Sequence, residues 1–77
     1  MVRAEHAVLE RDMDHLHNIA RKIIEAETFD TAEAEPTYQM LLDCEARAIK
    51  AGCMERARVL RADADDLADL LCAGQTN

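Results

Sequence analysis

The side chains that could do chemistry in this 77-residue chain are three histidines, three cysteines and sixteen carboxylates. His15 and His17 are two residues apart, so on a helix they point about 200° away from each other and cannot hold the same metal ion. Cys44 and Cys53 are nine residues apart, and the sequence has no C-x-x-C pair of the kind that structural zinc sites use. We therefore predict no metal site and no cofactor.

The sequence also lacks the motifs of common catalytic sites. It has no glycine-rich phosphate-binding loop, no G-x-S-x-G nucleophile motif and no H-E-x-x-H zinc motif. Its carboxylates are expected on solvent-facing sides of helices, where nothing would prepare them for acid–base catalysis. We predict no catalytic residues and no enzymatic activity.

The most unusual stretch is "LRADADDLADLL" at residues 60–71, which holds four aspartates within seven positions. A helical wheel puts four residues on its apolar face, namely Leu60, Ala64, Leu67 and Leu71. The same wheel points Asp65, Asp66 and Asp69 away from this face and puts Asp63 at its flank, so the charge is expected outside. Asp65 and Asp69 nevertheless form a like-charged i,i+4 pair and oppose the helix dipole. Sites that break local rules are often functional, so we interpret this stretch as part of a candidate binding surface.

A long first helix is predicted from an apolar pattern that alternates spacings of four and three. This heptad seam consists of Val2, His6, Leu9, Met13, Leu16, Ala20 and Ile23. The pattern predicts a helix over about residues 3–26. Residues 27–36 interrupt it, with Asp30 and Glu33 as a possible capping box and Phe29 closing the end of the bundle.

Two further helices are predicted on either side of Gly52. Pro36 suits a first helical turn, so the second helix is expected at about 36–50. The apolar stripe there, which includes Tyr38, Leu42 and Ile49, is out of phase with the stripe that follows. Because glycine is common just past a helix end, we place a turn at Gly52 and a third helix at about 53–72, with the remaining residues frayed. The alternative is one kinked helix over 36–72.

The sequence around Gly52, Ala57 and Ala64 resembles the turn of a tetratricopeptide-type helical hairpin. Such repeats need about three copies for stability and no second copy is found, so the resemblance is to a local helix-turn-helix. The predicted fold is all-α, one domain over 1–77 that forms a small three-helix bundle. Leu60, Leu67 and Leu71 are expected to pack on the seam of the first helix.

A homodimer is expected because the chain is short and its apolar residues are small. A chain of this length buries only about 60% of its unfolded surface, and small domains often rely on disulfides, a metal or a partner subunit. The sequence has one Phe, one Tyr, no Trp and many alanines. Sharing a core between two copies would offset this shortage of large apolar side chains.

The net charge of −7 and the pI of about 4.7 argue against direct binding to nucleic acid or to an anionic membrane. The N-terminal residues show no signal-peptide pattern, and no apolar run approaches the roughly 20 residues of a transmembrane helix. The odd number of cysteines fits a reducing compartment. We therefore expect a cytoplasmic protein.

The charge is unevenly distributed along the chain. Residues 27–35 and 63–77 each carry a net charge of −4, whereas residues 36–62 carry +2. These segments either pair with each other, within or between subunits, or form an acidic docking surface for a basic protein. The candidate partner-binding residues are Glu33, Glu35, Asp63, Asp66 and Asp69.

The sequence thus predicts a small acidic helical protein that binds and inhibits or sequesters a host protein, of the kind carried by phages and plasmids. One alternative is a nucleic-acid mimic that occupies a basic groove, and another is a structural homo-oligomer subunit. If the aspartates serve only as a surface, replacing Asp63, Asp66 and Asp69 together by asparagine should leave the fold intact.

Overall fold

The computed structural model of this protein is a bundle of three helices: α1 (Val2–Glu25), α2 (Thr31–Lys50) and α3 (Met54–Gln75). It describes the backbone of residues 2–75 and the side chains of residues 8–73. The helices run up, down and up, so α1 and α3 are parallel, and the bundle measures 49 × 18 × 17 Å. No strand occurs in residues 2–75. The prediction of an all-α, three-helix bundle is confirmed.

The core consists of apolar residues from all three helices, and five of its twelve members are alanines. These core residues are Met13, Leu16, Ala20, Ile23, Ala34, Leu41, Cys44, Ala48, Ala57, Leu60, Ala64 and Leu67. Leu9 and Leu71 are half-buried and pack against this core, as predicted for the two stripes. The side chains of Val2 and His6 lie outside the described residues. Alanine at so many core positions lets the helix backbones approach closely.

Helix α2 begins five residues before the predicted boundary, so the prediction of a start near Pro36 is wrong. The cause is Asp30, which is the N-cap: its Oδ1 accepts a hydrogen bond of 3.0 Å from the backbone N–H of Ala32. This cap starts the helix at Thr31 and leaves Pro36 inside the helix, exposed to solvent. A capped first turn thus outweighs the hydrogen bond that the proline removes from the helix.

The turn between α2 and α3 is a Schellman motif, which confirms the predicted break and rules out one continuous helix. The backbone N–H of Cys53 donates to the carbonyl of Ala48 at 2.8 Å, and that of Gly52 donates to Ile49 at 3.1 Å. Gly52 has a φ of +84°, a left-handed conformation that side chains disfavour. The chain therefore reverses at Gly52 and packs α3 antiparallel to α2.

Two details at the helix faces and ends differ from the sequence prediction. Helix α3 continues to Gln75 rather than ending near residue 72, so Ala73, Gly74 and Gln75 are helical rather than frayed. Ile49, predicted on the packed stripe of α2, is 49% exposed. Its stripe is wider than the core can cover, and one edge of it faces outward.

The geometry of Gly52 predicts whether an alanine at this position stabilises or destabilises the protein. An alanine Cβ at this position would meet no atom within 4 Å, so the effect of Gly52→Ala is purely conformational. We expect a loss of about 1 kcal/mol because an L-residue must adopt a left-handed conformation. Gly52→Asn should cost less, since asparagine tolerates this conformation. In a continuous helix, the alanine would instead stabilise the protein by a similar amount, and a thermal melt distinguishes the two signs.

Candidate functional site

The most informative polar group is the Asp63 carboxylate, which is only 2% exposed. It lies between α3 and α1, where His17 Nδ1 approaches its Oδ2 at 2.6 Å. The Nε of Arg21 donates to its Oδ1 at 3.0 Å. Both carboxylate oxygens are therefore satisfied by side chains of α1. A buried carboxylate without such partners would be strongly destabilising.

Arg21 extends this arrangement to a second aspartate of α3. Its Nη2 donates a hydrogen bond to Asp66 Oδ2 at 2.6 Å, while its Nε stays hydrogen-bonded to Asp63. The hydrogen bond to Asp66 raises the pKa of Arg21, with the charge of Asp63 adding to this effect and partial burial opposing it. The guanidinium therefore stays charged and connects two successive turns of α3 to α1.

A second set of ion pairs links α1 and α3 nearer their N-terminal ends. Arg56 donates from Nε to Asp14 at 3.3 Å and lies 3.9 Å from a carboxylate oxygen of Glu10. The hydrogen bond to Asp14 raises the pKa of Arg56. Together with the Asp63 contacts, these pairs form a line along the α1–α3 seam. We call it the α1–α3 polar ladder: Glu10, Asp14, His17 and Arg21 of α1 with Arg56, Asp63 and Asp66 of α3.

The ladder corrects part of the predicted binding surface. Asp63 was expected to lie outside the bundle, but it is buried against α1. Asp66 is half exposed, yet its carboxylate binds Arg21. The wheel of α3 alone placed these residues beside its apolar face but could not show that α1 supplies cations on that flank. Asp65 behaves as expected for an i,i+4 partner, since Arg61 lies 3.4 Å from it.

The other predicted binding residues, Glu33, Glu35 and Asp69, are exposed and lie at one end of the bundle. The up-down-up order brings the C-terminal ends of α1 and α3 to the N-terminal end of α2. Two acidic segments that are far apart in the sequence therefore meet. We define the acidic end as Glu25, Glu27, Glu33, Glu35 and Asp69. None of these five carboxylates forms an ion pair with a described residue.

The histidines and cysteines do not form a metal site in the described part of the chain, where no three potential ligands are placed to share an ion. His17 is bound to Asp63, and the thiols are spread over different levels of the bundle. Cys44 is buried, Cys53 is half-buried and Cys72 is exposed, and all three are free thiols. Burial raises the pKa of Cys44, so this thiol stays protonated.

Comparison with protein-family models, with curated proteins and with solved structures finds no match to this chain. Among the helices described here, none is both long and apolar enough to cross a membrane.

The burial of Asp63 reverses the expectation that the aspartates are dispensable for folding. We expect Asp63→Asn to lower the free energy of unfolding by about 2 kcal/mol, because His17 and Arg21 lose their shared charged acceptor. Asp65→Asn is the matched control: the side chain is 65% exposed, and its single ion pair should contribute less than about 0.5 kcal/mol. Urea denaturation measures both values. Equal effects of the two substitutions would contradict the assigned role of Asp63.

The three thiols should react with an alkylating reagent in the order of their exposure. We expect Cys72 to react first and Cys44 last, because Cys44 is buried and its raised pKa keeps it protonated. Mass spectrometry of the partly modified native protein measures the order. In denaturant the three rates should converge, and a Cys44 that reacts as fast as Cys72 in the native protein would be inconsistent with this core.

Proposed function

We propose that this protein binds a basic surface of another protein through its acidic end and thereby occludes or sequesters that partner. The observation that carries this proposal is the arrangement of the carboxylates. Asp63, Asp65 and Asp66 each have a cationic partner within the chain, whereas the five carboxylates of the acidic end have no described cationic partner. Charge left without a partner inside a small bundle is available to a partner outside it.

The position of these carboxylates supports binding rather than solubility alone. Exposed and unpaired carboxylates also lie elsewhere, at Asp12, Asp43 and Glu55, but five of them lie together at one end of a bundle 49 Å long. Lys50 and Arg58 lie near the opposite end, so the molecule is electrically polar. A field of this kind steers a basic partner toward one end and speeds association at low ionic strength.

Occlusion is the mode of action that this geometry favours. The acidic end has Glu33 beside a shallow groove that Ile19, Lys22 and Ile23 also line. An apolar floor with a carboxylate at its edge suits a basic helix or loop, because lysine and arginine side chains combine an apolar stem with a charged head. The proposal includes a homodimeric state, in which each copy presents its own acidic end.

The test uses two triple variants that remove the same charge from different places. The first, Glu33→Gln with Glu35→Gln and Asp69→Asn, changes the acidic end. The second is the matched control, Asp12→Asn with Asp43→Asn and Glu55→Gln, which removes three exposed and unpaired carboxylates elsewhere. The tagged proteins are used to capture partners from a bacterial extract at low and high salt, with identification by mass spectrometry.

At low salt, we expect the unmodified chain and the control variant to retain a basic protein. The acidic-end variant should retain at least tenfold less of it. High salt should release it, because exposed charges are screened within about 10 Å at 0.1 M ionic strength. Equal losses in both variants would show that binding depends only on net charge and not on the position of the carboxylates, which would contradict the proposal. Competition by added DNA or RNA for the same partner would favour the nucleic-acid mimic, while retention at high salt would indicate an apolar contact instead.

A further inference from the structure

The outward-facing groove between α2 and α3 brings two large, exposed apolar side chains together. Ile49 and Met54 are 49% and 51% exposed, and both line this groove near the Gly52 turn. Of the other large exposed apolar residues, Val8 is on α1, Val59 is in the groove between α1 and α3, and Met40 is in the groove between α1 and α2. The α2–α3 groove is therefore an apolar surface without a described cover.

The helical repeat extends this surface along the whole hairpin. On α2, spacings of three and four lead from Ile49 back to Glu45, Leu42 and Tyr38, and the last two are half-buried. On α3, the same spacings lead from Met54 to Arg58, Arg61, Asp65, Ala68 and Cys72. We call this face the hairpin face and define it by these ten residues. It has an apolar pair at the turn end and Tyr38, Ala68 and Cys72 at the other end.

Charges at the edges of the hairpin face have opposite signs at its two ends. Arg58 lies at the turn end and has no described ion pair. Asp69 and Glu35 lie at the far end, on the outer sides of α3 and α2. Arg61 lies 3.6 Å from Glu45 and 3.4 Å from Asp65, so two carboxylates share one cation and the middle of the face keeps a net charge of −1. The other uncompensated charges lie at the ends.

We infer that the hairpin face binds a second copy of this chain in antiparallel orientation about a two-fold axis. This inference rests on the homodimer of the proposed function and names its surface. A two-fold axis through the middle of the face sets Met54 of each copy opposite Cys72 of the other. It also sets Arg58 opposite Asp69, and Ile49 opposite Tyr38. These three pairs set apolar residues opposite apolar residues and each end charge opposite its counter-charge, while the same centre sets Leu42 opposite Glu45 and Ala68 opposite Arg58.

One axis position satisfies these pairings together. On α3, residues 54 and 72 have their midpoint at residue 63, and residues 58 and 69 have theirs between residues 63 and 64. On α2, residues 38 and 49 have their midpoint between residues 43 and 44. The contact of Glu45 with Arg61 brings that level of α2 beside residues 62 and 63 of α3. Three independent pairs therefore agree on the same centre within about one residue.

A parallel arrangement does not share this complementarity. Its two-fold axis would run along the helices and set α3 of each copy against α2 of the other, so Asp69 would lie near Glu35, and like charges opposite each other are unfavourable. The face is of modest size. From Met54 to Cys72 it is about 27 Å long, so with the 18 Å width of the bundle it covers roughly 500 Å² per copy, below the 800 Å² per partner of a standard interface.

The antiparallel dimer engages Asp69 of the acidic end with Arg58 of the other copy but leaves most of the proposed partner site usable. The two acidic ends lie at opposite ends of the dimer, and Glu27 and Glu33 lie away from the hairpin face. Glu33 lines the groove toward α1 instead. The dimer can therefore bind two basic partners, or two basic patches of one partner, whose separate affinities then reinforce each other.

Sedimentation velocity of the full chain tests the surface with two matched substitutions. We expect the unmodified protein to sediment as a dimer at micromolar concentration, and Met54→Asp to raise its dissociation constant at least tenfold. Asp is tolerated at the first position of α3, so circular dichroism should show unchanged helicity. Val59→Asp, at a similarly exposed residue of α3 on another face, should remain dimeric. A monomeric unmodified chain, or equal effects of both substitutions, would overturn the inference.

Disulfide trapping tests the orientation. All chains carry Cys53→Ser, and an added oxidant, diamide, converts two neighbouring thiols into a disulfide. We expect Met54→Cys to form a covalent dimer with the native Cys72 of the other copy, since a disulfide requires Cα atoms within about 7 Å. Val59→Cys should give at most a trace of this product. A strong Cys72–Cys72 link without the added cysteine would refute the antiparallel dimer, in which the two Cys72 thiols lie at opposite ends of the interface.

These outcomes are separable from the test of the acidic end. Because Asp69 belongs to both surfaces, the acidic-end variant is sedimented as well, which distinguishes the loss of the dimer from the loss of the partner. Sedimentation and trapping use the purified chain without any partner, so they fail only if the dimer surface is wrong. A dimer that forms as described but captures no basic protein would retain the hairpin face and contradict the proposed function. A monomer that captures such a protein through Glu33 and Asp69 would do the reverse.

Discussion

The buried carboxylate of Asp63 is the constraint on which the arrangement of the three helices depends. Helices α2 and α3 are joined by a tight turn and meet as neighbours in sequence, but no short connection aligns α1 with α3. His17 and Arg21 do so by binding both oxygens of Asp63. Burying a charge is costly unless its partners are in place, and removing a partner of a buried pair typically costs a few kcal/mol. A shift of α1 along α3 by one turn would separate these groups, so the carboxylate selects one register.

The selection of one register by polar groups matters because the apolar core alone distinguishes poorly between registers. Ala20, Ala48 and Ala64 are buried, but alanine is small and fits opposite many neighbours. Large side chains that would interlock in one arrangement are few, with Met13, Leu41, Leu60 and Leu67 the largest that are fully buried. The core therefore supplies most of the burial, and the α1–α3 polar ladder supplies much of the specificity. Such a division is attested for buried polar residues in coiled coils.

The sequence predicted what depends on one helix at a time and missed what depends on two. Heptad spacing found the seam of α1 and the apolar face of α3, and Gly52 marked the turn correctly. The wheel of α3 misplaced Asp63 because its partners lie 42 and 46 residues away on another helix. A usable signal was present in the sequence. His17 and Arg21 are four residues apart beside the seam of α1, and Asp63 and Asp66 are three residues apart beside the apolar face of α3. The helix boundary predicted from Pro36 was wrong because the preference of proline for a first helical turn was weaker than the N-cap at Asp30.

The four aspartates of α3 therefore have different explanations, and Asp69 is the one that local physics does not account for. Asp63 and Asp66 bind Arg21, and Asp65 lies beside Arg61. Glu33 and Glu35 lie in the first turns of α2, where a negative charge is favourable to the helix dipole. Asp69 opposes the dipole of α3, repels Asp65 one turn earlier and has no described cationic partner. A residue with only unfavourable local terms is best explained by a contact outside the chain, whether with Arg58 of a second copy or with a basic partner. Both proposals meet at this side chain, which makes it the most informative single residue of the surface.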